Sequence, residues 1–160
     1  MTILGATASG KTTIAAHCAA RMNGEVISGD SRQVYRAMDI GTGKDLSEYV
    51  INGTNVPYHL IDIVEAGYKY NVYAYCEDFR KAYTDICLRE KTPVLCGGSG
   101  LYIDAAVNEY AMPKVPEDAA LRASLAQQST AQLIEKLQSL RKLHNTSDTT
   151  SRKRLIRAIE

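Results

Sequence analysis

The strongest constraint on this chain is a glycine-rich segment near its start. Residues 5–12, GATASGKT, fit the pattern GxxxxGK(S/T) and directly follow the apolar run Thr2-Ile3-Leu4. Between a strand and a helix, such glycines let successive amides point inward, and the lysine adds a mobile positive charge. Thr12 is the predicted metal ligand, and Mg²⁺ is the predicted cofactor. The alternative interpretation of residues 5–12 is an ordinary glycine-containing turn without a binding role. The predicted diphosphate-binding residues are Gly5, Thr7, Ala8, Ser9, Gly10, Lys11 and Thr12.

The composition is that of an ordinary globular chain without extreme charge. The 160 residues are 45% hydrophobic and 23% charged, and the net charge is +1. This supports one domain with a modest core, and any nucleic-acid-binding surface must come from local clustering of basic residues. No apolar run approaches the roughly 18 residues of a membrane span, and no basic-then-apolar leader precedes the loop. We therefore expect a cytoplasmic protein without a membrane partner, and we expect it to be a monomer.

The cysteines and histidines carry no catalytic signature. No CxxC pair and no Cys/His cluster with zinc spacing occurs among the four cysteines, Cys18, Cys76, Cys87 and Cys96. We expect buried thiols in a reducing compartment. His59 is interpreted as a structural histidine rather than a catalyst.

Strand and helix patterns alternate in the first 112 residues. Strand patterns cover residues 2–4, 26–28 and 93–96. Helix patterns cover residues 12–22 and 71–90, and Asn71 is the predicted cap of the second helix. Asn52-Gly53 lies between two short runs, 49–51 and 54–56, and suits a type I′ hairpin turn. The alternation predicts an α/β core with a parallel sheet, which places Asp30, after the second strand, near the phosphate-binding loop.

From Pro113 onward the pattern is wholly helical. Candidate helices cover residues 117–127, 130–143 and 148–160. No strand pattern returns, and three parallel strands make a small sheet for this kind of fold. We therefore predict two parts. Residues 1–112 form the first part of an α/β core whose sheet is incomplete in this chain, and residues 113–160 form a helical insert truncated at its C-terminal end.

More specific motifs follow the loop along the chain. In order, the chain carries GATASGKT at 5–12, EVISGDSRQVYRAMDIGTGK at 25–44, PYHLIDI at 57–63, YNVYAYCEDFRKAY at 70–83, VLCGGSGLYI at 94–103 and RKRLIRAIE at 152–160. Together these segments resemble the tRNA dimethylallyltransferase family, and the resemblance covers most of the chain. The segment DSRQVYRAMDIGT, in register behind the loop and ahead of GGSGLY, is far more specific than the loop alone.

The resemblance implies a fold, an activity and partners. The implied fold is a P-loop NTPase-like, three-layer α/β core with a helical tRNA-binding insert. The implied reaction moves the dimethylallyl group of dimethylallyl diphosphate to the exocyclic amine of the adenosine 3′ of the anticodon in tRNA, releases diphosphate and uses Mg²⁺. The implied partners are therefore tRNA, through its anticodon stem-loop, and dimethylallyl diphosphate.

The residues suit this chemistry when they are considered without the family. An adenine amine is a weak nucleophile, so a transferase must stabilise the departing diphosphate and remove the proton that the amine loses. The loop performs the first task, and the Thr7 hydroxyl can donate to the bridging oxygen. Asp30 is the candidate general base, which is also the role of the matching aspartate in the family. A magnesium ligand or a helix N-cap are the alternatives for Asp30.

The resemblance also implies residues that contact tRNA. Their sequence context alone allows simpler explanations, because a glycine cluster such as 97–100 is usually a tight turn and a basic helix is usually a solvated face. The target adenine must also leave its stack before its amine can react. The implied tRNA-binding residues are Asp30, Ser31, Arg32, Gln33, Ser99, Lys153, Arg154, Leu155, Ile156 and Arg157.

Two other functions remain open on sequence grounds. The loop is shared with small-molecule kinases and with hydrolases of nucleoside triphosphates, but a hydrolase normally adds a magnesium-binding aspartate at the end of a neighbouring strand. The strand at 93–96 instead runs into Gly-Gly-Ser-Gly, and Asp62 is only a weak substitute. The second alternative is a non-catalytic nucleic-acid-binding fragment, against which the intact Lys11, Thr12 and Asp30 argue.

Overall fold

A parallel sheet of four strands lies at the centre of the first half of the fold. The computed structural model describes residues 1–110, 115–140 and 149–160, and the chain divides into two compact units, Met1–Met112 and Pro113–Glu160. In the first unit the strand order is β1-β6-β2-β5. These four strands are β1 (Thr2–Leu4), β2 (Gly24–Ser28), β5 (Tyr58–His59) and β6 (Thr92–Gly97).

The register of the sheet brings three loops to one edge. Leu4 of β1 is paired with Gly97 of β6, and Ser28 of β2 is paired with Cys96. All three strands are parallel, so the segments that follow them leave the sheet on the same side. In open parallel sheets, ligands bind at this edge, outside the carboxyl ends of the strands.

Helices cover both faces of the sheet. Helix α1 (Lys11–Arg21) packs on one face, where three buried alanines allow it to lie close to Val26. Helices α2 (Val72–Leu88) and α3 (Gly100–Val107) pack on the other face, against Ile27. Val26 and Ile27 are neighbours in β2, and successive side chains of a strand point to opposite faces. The predicted α/β core with a parallel sheet and three layers is confirmed.

Two predictions from local sequence are also confirmed. The Asn71 side chain accepts a hydrogen bond from Ala74 N at 3.0 Å and caps the start of α2. Strands β3 (Val50–Ile51) and β4 (Thr54–Asn55) pair antiparallel around Asn52-Gly53. Both turn residues have positive φ, 50° and 76°, as a type I′ turn requires.

Two elements of the first unit differ from the sequence prediction. The count of three parallel strands was wrong, because β5 adds a fourth strand that pairs with Val26 and Ile27 of β2. β5 is only two residues long, too short for a period-two pattern to be visible in the sequence. Helix α3 was missed because its first residue, Gly100, belongs to a glycine cluster that favours a turn interpretation.

Three helices of the second unit pack around a small leucine core. Residues 117–127, 130–143 and 148–160 were predicted as helices, and residues 141–148 lie outside the described residues. The observed helices are α4 (Ala119–Ala126), α5 (Thr130–Leu140) and α6 (Arg152–Ile159). The fully buried core side chains are Leu125, Leu133, Leu137 and Leu155.

The cysteines agree only partly with the expectation of buried thiols. Cys76 and Cys96 are buried, but Cys18 is half-buried and Cys87 is exposed, so the expectation is wrong for Cys87. All four are free thiols, and burial raises the pKa of Cys96 to about 11. Over the described ranges, no helix combines the length and the apolar character that a membrane span needs.

An ion network joins the sheet to the end of α2. Glu25 in β2 is 3% exposed, and Arg89 Nη2 donates to its Oε2 at 2.8 Å while Nη1 donates to Oε1. His59 Nε2 lies 2.7 Å from the same Oε2, so His59 has the structural role that the sequence indicated. The pKa of Glu25 is lowered from 4.5 to about 2, chiefly by the hydrogen bonds from Arg89 and to a smaller extent by His59, and burial opposes this change.

We expect the substitution Glu25→Gln to lower the free energy of unfolding by about 2 kcal/mol at pH 7, because it removes the buried charge that Arg89 and His59 contact, whereas the half-exposed Arg89 keeps its ion pair with Asp85. The pKa of Glu25 is lowered in the folded state, so its contribution is present above pH 4.5 and is lost as the pH falls toward 2. Urea unfolding between pH 7 and pH 3 measures both effects.

The matched control is Glu77→Gln. Glu77 pairs with Arg80 on the surface of α2, where the two side chains are 44% and 50% exposed. Exposed pairs contribute less than about 1 kcal/mol. Equal losses in the two variants, or an unchanged pH dependence in Glu25→Gln, would contradict a stabilising network at Glu25.

Candidate functional site

The segment between β1 and α1 has the backbone geometry of an anion-binding nest. Ala8 and Gly10 both have left-handed conformations, with φ of 60° and 75°. The first backbone hydrogen bond of α1 joins Ile14 N to Gly10 O at 3.2 Å. The amides before Ile14 are those that a helix leaves without an intrahelical acceptor, and they carry the positive end of the helix dipole. The loop therefore presents N–H groups to an anion, as the sequence predicts.

The side chain of Lys11 lies between the start of the loop and the turn that follows β6. Its Nζ donates to Ala6 O at 3.0 Å. A Cβ atom placed on Gly98 would lie 3.8 Å from that Nζ and 3.3 Å from Gly5 O. The glycine turn therefore passes close to the phosphate-binding loop, and the space beside Lys11 depends on the absence of a side chain at position 98.

A cavity of about 340 Å³ opens over the loop. The loop contributes residues 7–12 to its lining, and the turn after β2 contributes Asp30 and Gln33. The remaining lining comes from a segment for which the sequence analysis assigned no role: Asp39, Gly41, Thr42, Gly43, Lys44, Asp45 and Glu48. The cavity thus combines the backbone of the loop with several carboxylates.

Asp30 follows β2 and is half-buried at the edge of this cavity. Its Oδ1 accepts a hydrogen bond from Arg32 N at 2.8 Å, which closes a turn rather than a helix. The N-cap alternative therefore does not describe Asp30. In the described part of the chain this is its one hydrogen bond, so the carboxylate retains acceptor capacity toward the cavity.

Ser99 connects the turn after β6 to the turn after β2. Its Oγ accepts from Ser31 N at 3.0 Å and lies 3.2 Å from Ser31 Oγ, and its own N–H donates to Gly29 O at 3.2 Å. A Cβ atom on Gly97 would overlap the Gly29 carbonyl, so only glycine permits this approach. Ser99 therefore holds Ser31 and the adjacent Asp30 in place.

A buried lysine fixes the segment that forms the far wall of the cavity. The Lys44 side chain is 2% exposed, and its Nζ donates to Tyr35 O at 2.8 Å, to Asp39 Oδ1 at 3.0 Å and to Asp62 Oδ1. Burial alone would lower the pKa of Lys44, but the hydrogen bonds from the Lys44 ammonium to Asp62 and Asp39 outweigh it and raise the pKa. The bonds of Lys44 to Tyr35, Asp39 and Asp62 therefore fix the backbone of the segment 39–44 beside the cavity.

Gln33 and Glu48 complete the bracing of this wall. Gln33 Nε2 donates to Gly43 O at 3.2 Å, and Gln33 Oε1 accepts from Ser28 Oγ at 3.0 Å. Glu48 Oε1 accepts from Thr13 Oγ1 at 2.9 Å. The sequence signal for this wall was the glycine pair in Gly41-Thr42-Gly43, whose two glycines have positive φ. The interpretation of Gln33 as a tRNA contact remains a prediction, since the described side chain holds the segment.

The chain is similar in sequence to a known protein family. A family model described as IPP transferase matches residues 33–160. The chain belongs to the IPP transferase family. A curated relative, the tRNA dimethylallyltransferase 2 of Phocaeicola vulgatus, is 55% identical over 160 residues, which is 100% of this chain and 52% of the relative. This confirms the resemblance that the motifs indicated, and the chain spans about half the length of the curated relatives it matches.

Solved structures of the family share the fold. The full-length tRNA isopentenylpyrophosphate transferase of Bacillus halodurans is 35% identical with a TM-score of 0.65, over 99% of this chain and 53% of that one. A eukaryotic dimethylallyltransferase, described as acting on tRNA, is 25% identical with a TM-score of 0.77, over 98% and 39% of the two chains. The P-loop NTPase-like α/β fold with its helical part is confirmed.

The basic residues of helix α6 fall into two groups, exposed cations and cations bonded within the helical unit. Lys153 and Arg154 are exposed. Arg157 instead donates to Val115 O at 2.8 Å and to Glu160, and Arg152 donates to the Ala126 carbonyl at 2.7 Å. The second pair of cations thus stabilises the helical unit.

The apolar residues of α6 face inward. The Leu155 side chain is fully buried in the leucine core, and Ile156 packs against that core. The predicted tRNA contact therefore does not extend to the Leu155 side chain. Within the described ranges, Lys153 and Arg154 are the cations of the predicted set 153–157 that are exposed and whose side chains have no hydrogen-bond or ion-pair partner.

The oxygen atoms at the loop fit a magnesium ion that would be coordinated partly by the protein and partly by a bound diphosphate. Among the described residues, no group of three or more His, Cys, Asp or Glu side chains is arranged to hold a metal. Mg²⁺ is usually bound through one or two protein oxygens together with substrate phosphates and water. Thr12 is half-buried and lines the same cavity as Asp30 and Glu48, which supplies oxygens of that kind.

A larger cavity, of about 510 Å³, lies elsewhere in the first unit, and residues of β1, β2, β6, α2 and α3 contribute to its lining. Its lining is mainly apolar and includes Ile27, Phe79, Leu95 and Ala106. A diphosphate needs amide and cationic donors, which the loop cavity has and this one lacks, apart from Arg80. Size alone therefore does not identify the site.

Proposed function

We propose that this protein acts in the transfer of the dimethylallyl group from dimethylallyl diphosphate to the exocyclic amine of the adenosine 3′ of the anticodon in tRNA, with release of diphosphate. The observation that carries the proposal is the meeting of the phosphate-binding loop and the Asp30 carboxylate in one cavity. The names of the relatives, tRNA dimethylallyltransferases, support the same substrate pair.

The loop is suited to the leaving group. In the transfer, the bond between the allylic carbon and the diphosphate oxygen breaks, and negative charge develops on that oxygen. The amides of residues 8–12 and the ammonium of Lys11 would stabilise this charge, and the Thr7 hydroxyl would donate to the bridging oxygen. The amide donors belong to the folded loop before the reaction, so these donors need little reorganisation when the charge appears.

Asp30 is suited to the other half of the reaction. As the bond forms between the amine nitrogen and the allylic carbon, the nitrogen must lose one proton. The Asp30 carboxylate lies at the cavity edge with acceptor capacity to spare, and Ser99 and Ser31 hold its turn in place. It would accept this proton as general base. When bound, Mg²⁺ would add positive charge beside the diphosphate, with Thr12 as its protein ligand.

The proposed tRNA contacts lie around the cavity and on the helical unit. Arg32 is exposed beside the Asp30 turn, and Ser31 lies next to it. The exposed cations Lys153 and Arg154 of α6 are suited to backbone phosphates, which position a nucleic acid without reading its sequence. The target base would leave the anticodon loop to reach Asp30, and loop bases need less energy to leave their stack than paired ones.

The test is a transfer assay with the chain carried to the full length of its relatives. Radiolabelled dimethylallyl diphosphate and an anticodon stem-loop RNA are incubated with Mg²⁺, and label in the RNA is measured. An RNA with inosine in place of the target adenosine lacks the amine and serves as the control. Equal labelling of both RNAs, or phosphate transfer from ATP in place of prenyl transfer, would reject the proposal.

We expect Lys153→Ala and Arg154→Ala each to weaken stem-loop binding about equally for all sequences. Each change should also reduce the slope of log affinity against log salt concentration by about one, because one phosphate contact is lost. Lys81→Ala, an exposed lysine on α2, is the matched control. Fluorescence anisotropy at several salt concentrations measures the slopes, and unchanged slopes in both α6 variants would remove that helix from the interface.

A further inference from the structure

An isoleucine stands fully exposed at the rim of the candidate site. Ile40 is 99% exposed, and Met38, two residues before it, is 41% exposed. Ile40 lies between Asp39 and Gly41, both of which line the loop cavity. Burial of a side chain of this size is normally a favourable contribution to folding, and Ile40 makes no such contribution.

The segment that carries Ile40 is held firmly rather than left free to fold back. Thr42 Oγ1 donates to Met38 O at 2.6 Å, and Lys44 pairs with Asp39 at 3.0 Å. Gly43 O accepts from Gln33 Nε2 at 3.2 Å. Bonds on both sides of Ile40 thus fix its position, so its exposure is a property of the folded segment.

The position of the exposed Ile40 side chain relative to the cavity lining indicates what kind of ligand it could contact. Within the part of the chain that the structure describes, the cavity lining includes Asp39 and Gly41 but neither Ile40 nor Met38. A small diphosphate that fills the cavity would therefore not contact Ile40. A macromolecule that covers both the cavity and the surface next to it would contact the exposed Ile40 side chain.

We propose that Ile40, with Met38 beside it, is an apolar wedge that enters the gap left in the RNA loop when the target base moves into the cavity. This inference rests on the proposed function. A base that leaves its stack exposes the faces of its two neighbours to water, and isoleucine and methionine are among the side chains that proteins insert between bases. The wedge stabilises the extruded state and so acts as a positioning group, without touching the reacting atoms.

The test compares Ile40→Ser, Ile40→Leu and the control Leu88→Ser in the full-length chain. Leu88 is 80% exposed at the end of α2, away from the residues that line the loop cavity. Three quantities are measured: affinity for dimethylallyl diphosphate, kcat/KM for transfer to the stem-loop, and the fluorescence of 2-aminopurine at the target position, which rises when that base unstacks.

We expect Ile40→Ser to lower kcat/KM about tenfold or more and to remove most of the 2-aminopurine increase, with diphosphate affinity unchanged. Ile40→Leu should restore both RNA readouts, and Leu88→Ser should leave all three unchanged. The same losses in Leu88→Ser, or a loss of diphosphate affinity in Ile40→Ser, would overturn the wedge.

The two proposals fail differently. An active wild-type chain whose Ile40→Ser variant keeps both its transfer rate and its fluorescence increase would overturn the wedge alone. A wild-type chain that neither binds dimethylallyl diphosphate nor labels the RNA would overturn the proposed function, and the wedge with it.

Discussion

Asp30→Asn is expected to reduce transfer by about a hundredfold or more while diphosphate binding stays intact. Asparagine keeps the size and the oxygen that accepts from Arg32 N, so the turn is preserved. It cannot take up the amine proton, so the chemical step slows. Single-turnover transfer in the full-length chain measures that step, and calorimetry with dimethylallyl diphosphate measures binding.

Asp45→Asn is the matched control for this change. Asp45 lines the same cavity, but its carboxylate accepts from Ser47 N at 3.0 Å and caps the short 3₁₀ helix Leu46–Tyr49. Its loss should alter transfer by only a few-fold. Full activity in Asp30→Asn would end the general-base assignment, and a loss of diphosphate binding in that variant would favour the magnesium-ligand alternative.

Features determined by a few adjacent residues were predictable from the sequence. The left-handed turn between β1 and α1, the Asn71 cap and the Asn52-Gly53 turn each depend on side chains or glycines within a short segment, and the structure has all three. Phosphate binding by the first of them stays a prediction. The parallel sheet was predictable for a different reason, because alternating strand and helix patterns are typical of units in which a helix connects two parallel strands. Local backbone preference and core packing agree at these positions.

Features that depend on distant partners were not predictable. Lys44 resembles any surface lysine in the sequence, yet its ammonium is buried because Asp62, 18 positions away, reaches it. Arg157 was expected to contact tRNA from a basic helix, yet its guanidinium donates to the Val115 carbonyl within the helical unit. The residues that form the cavity wall, and the α6 cations that bond within the helical unit, could therefore be identified only from the folded structure.

Lys11→Ala is expected to abolish measurable binding of dimethylallyl diphosphate. In the free loop, Lys11 Nζ donates to Ala6 O, and a bound diphosphate would replace this neutral acceptor with an anionic one, which forms a stronger hydrogen bond. Alanine removes both the charge and the donor, so an affinity loss of about a hundredfold or more follows. Calorimetry with Mg²⁺ measures it, with ATP as the comparison ligand.

The stability of this variant separates a lost ligand from a lost fold. The bond from Lys11 to Ala6 is exposed, so the midpoint of thermal unfolding should stay within a few degrees of wild type. Lys81→Ala, with its charge on α2, should bind as wild type does. Retained binding in Lys11→Ala would mean that the loop does not hold the diphosphate. A wild-type preference for ATP would instead favour a phosphotransferase, since the same loop serves both chemistries and only the group beyond the diphosphate distinguishes them.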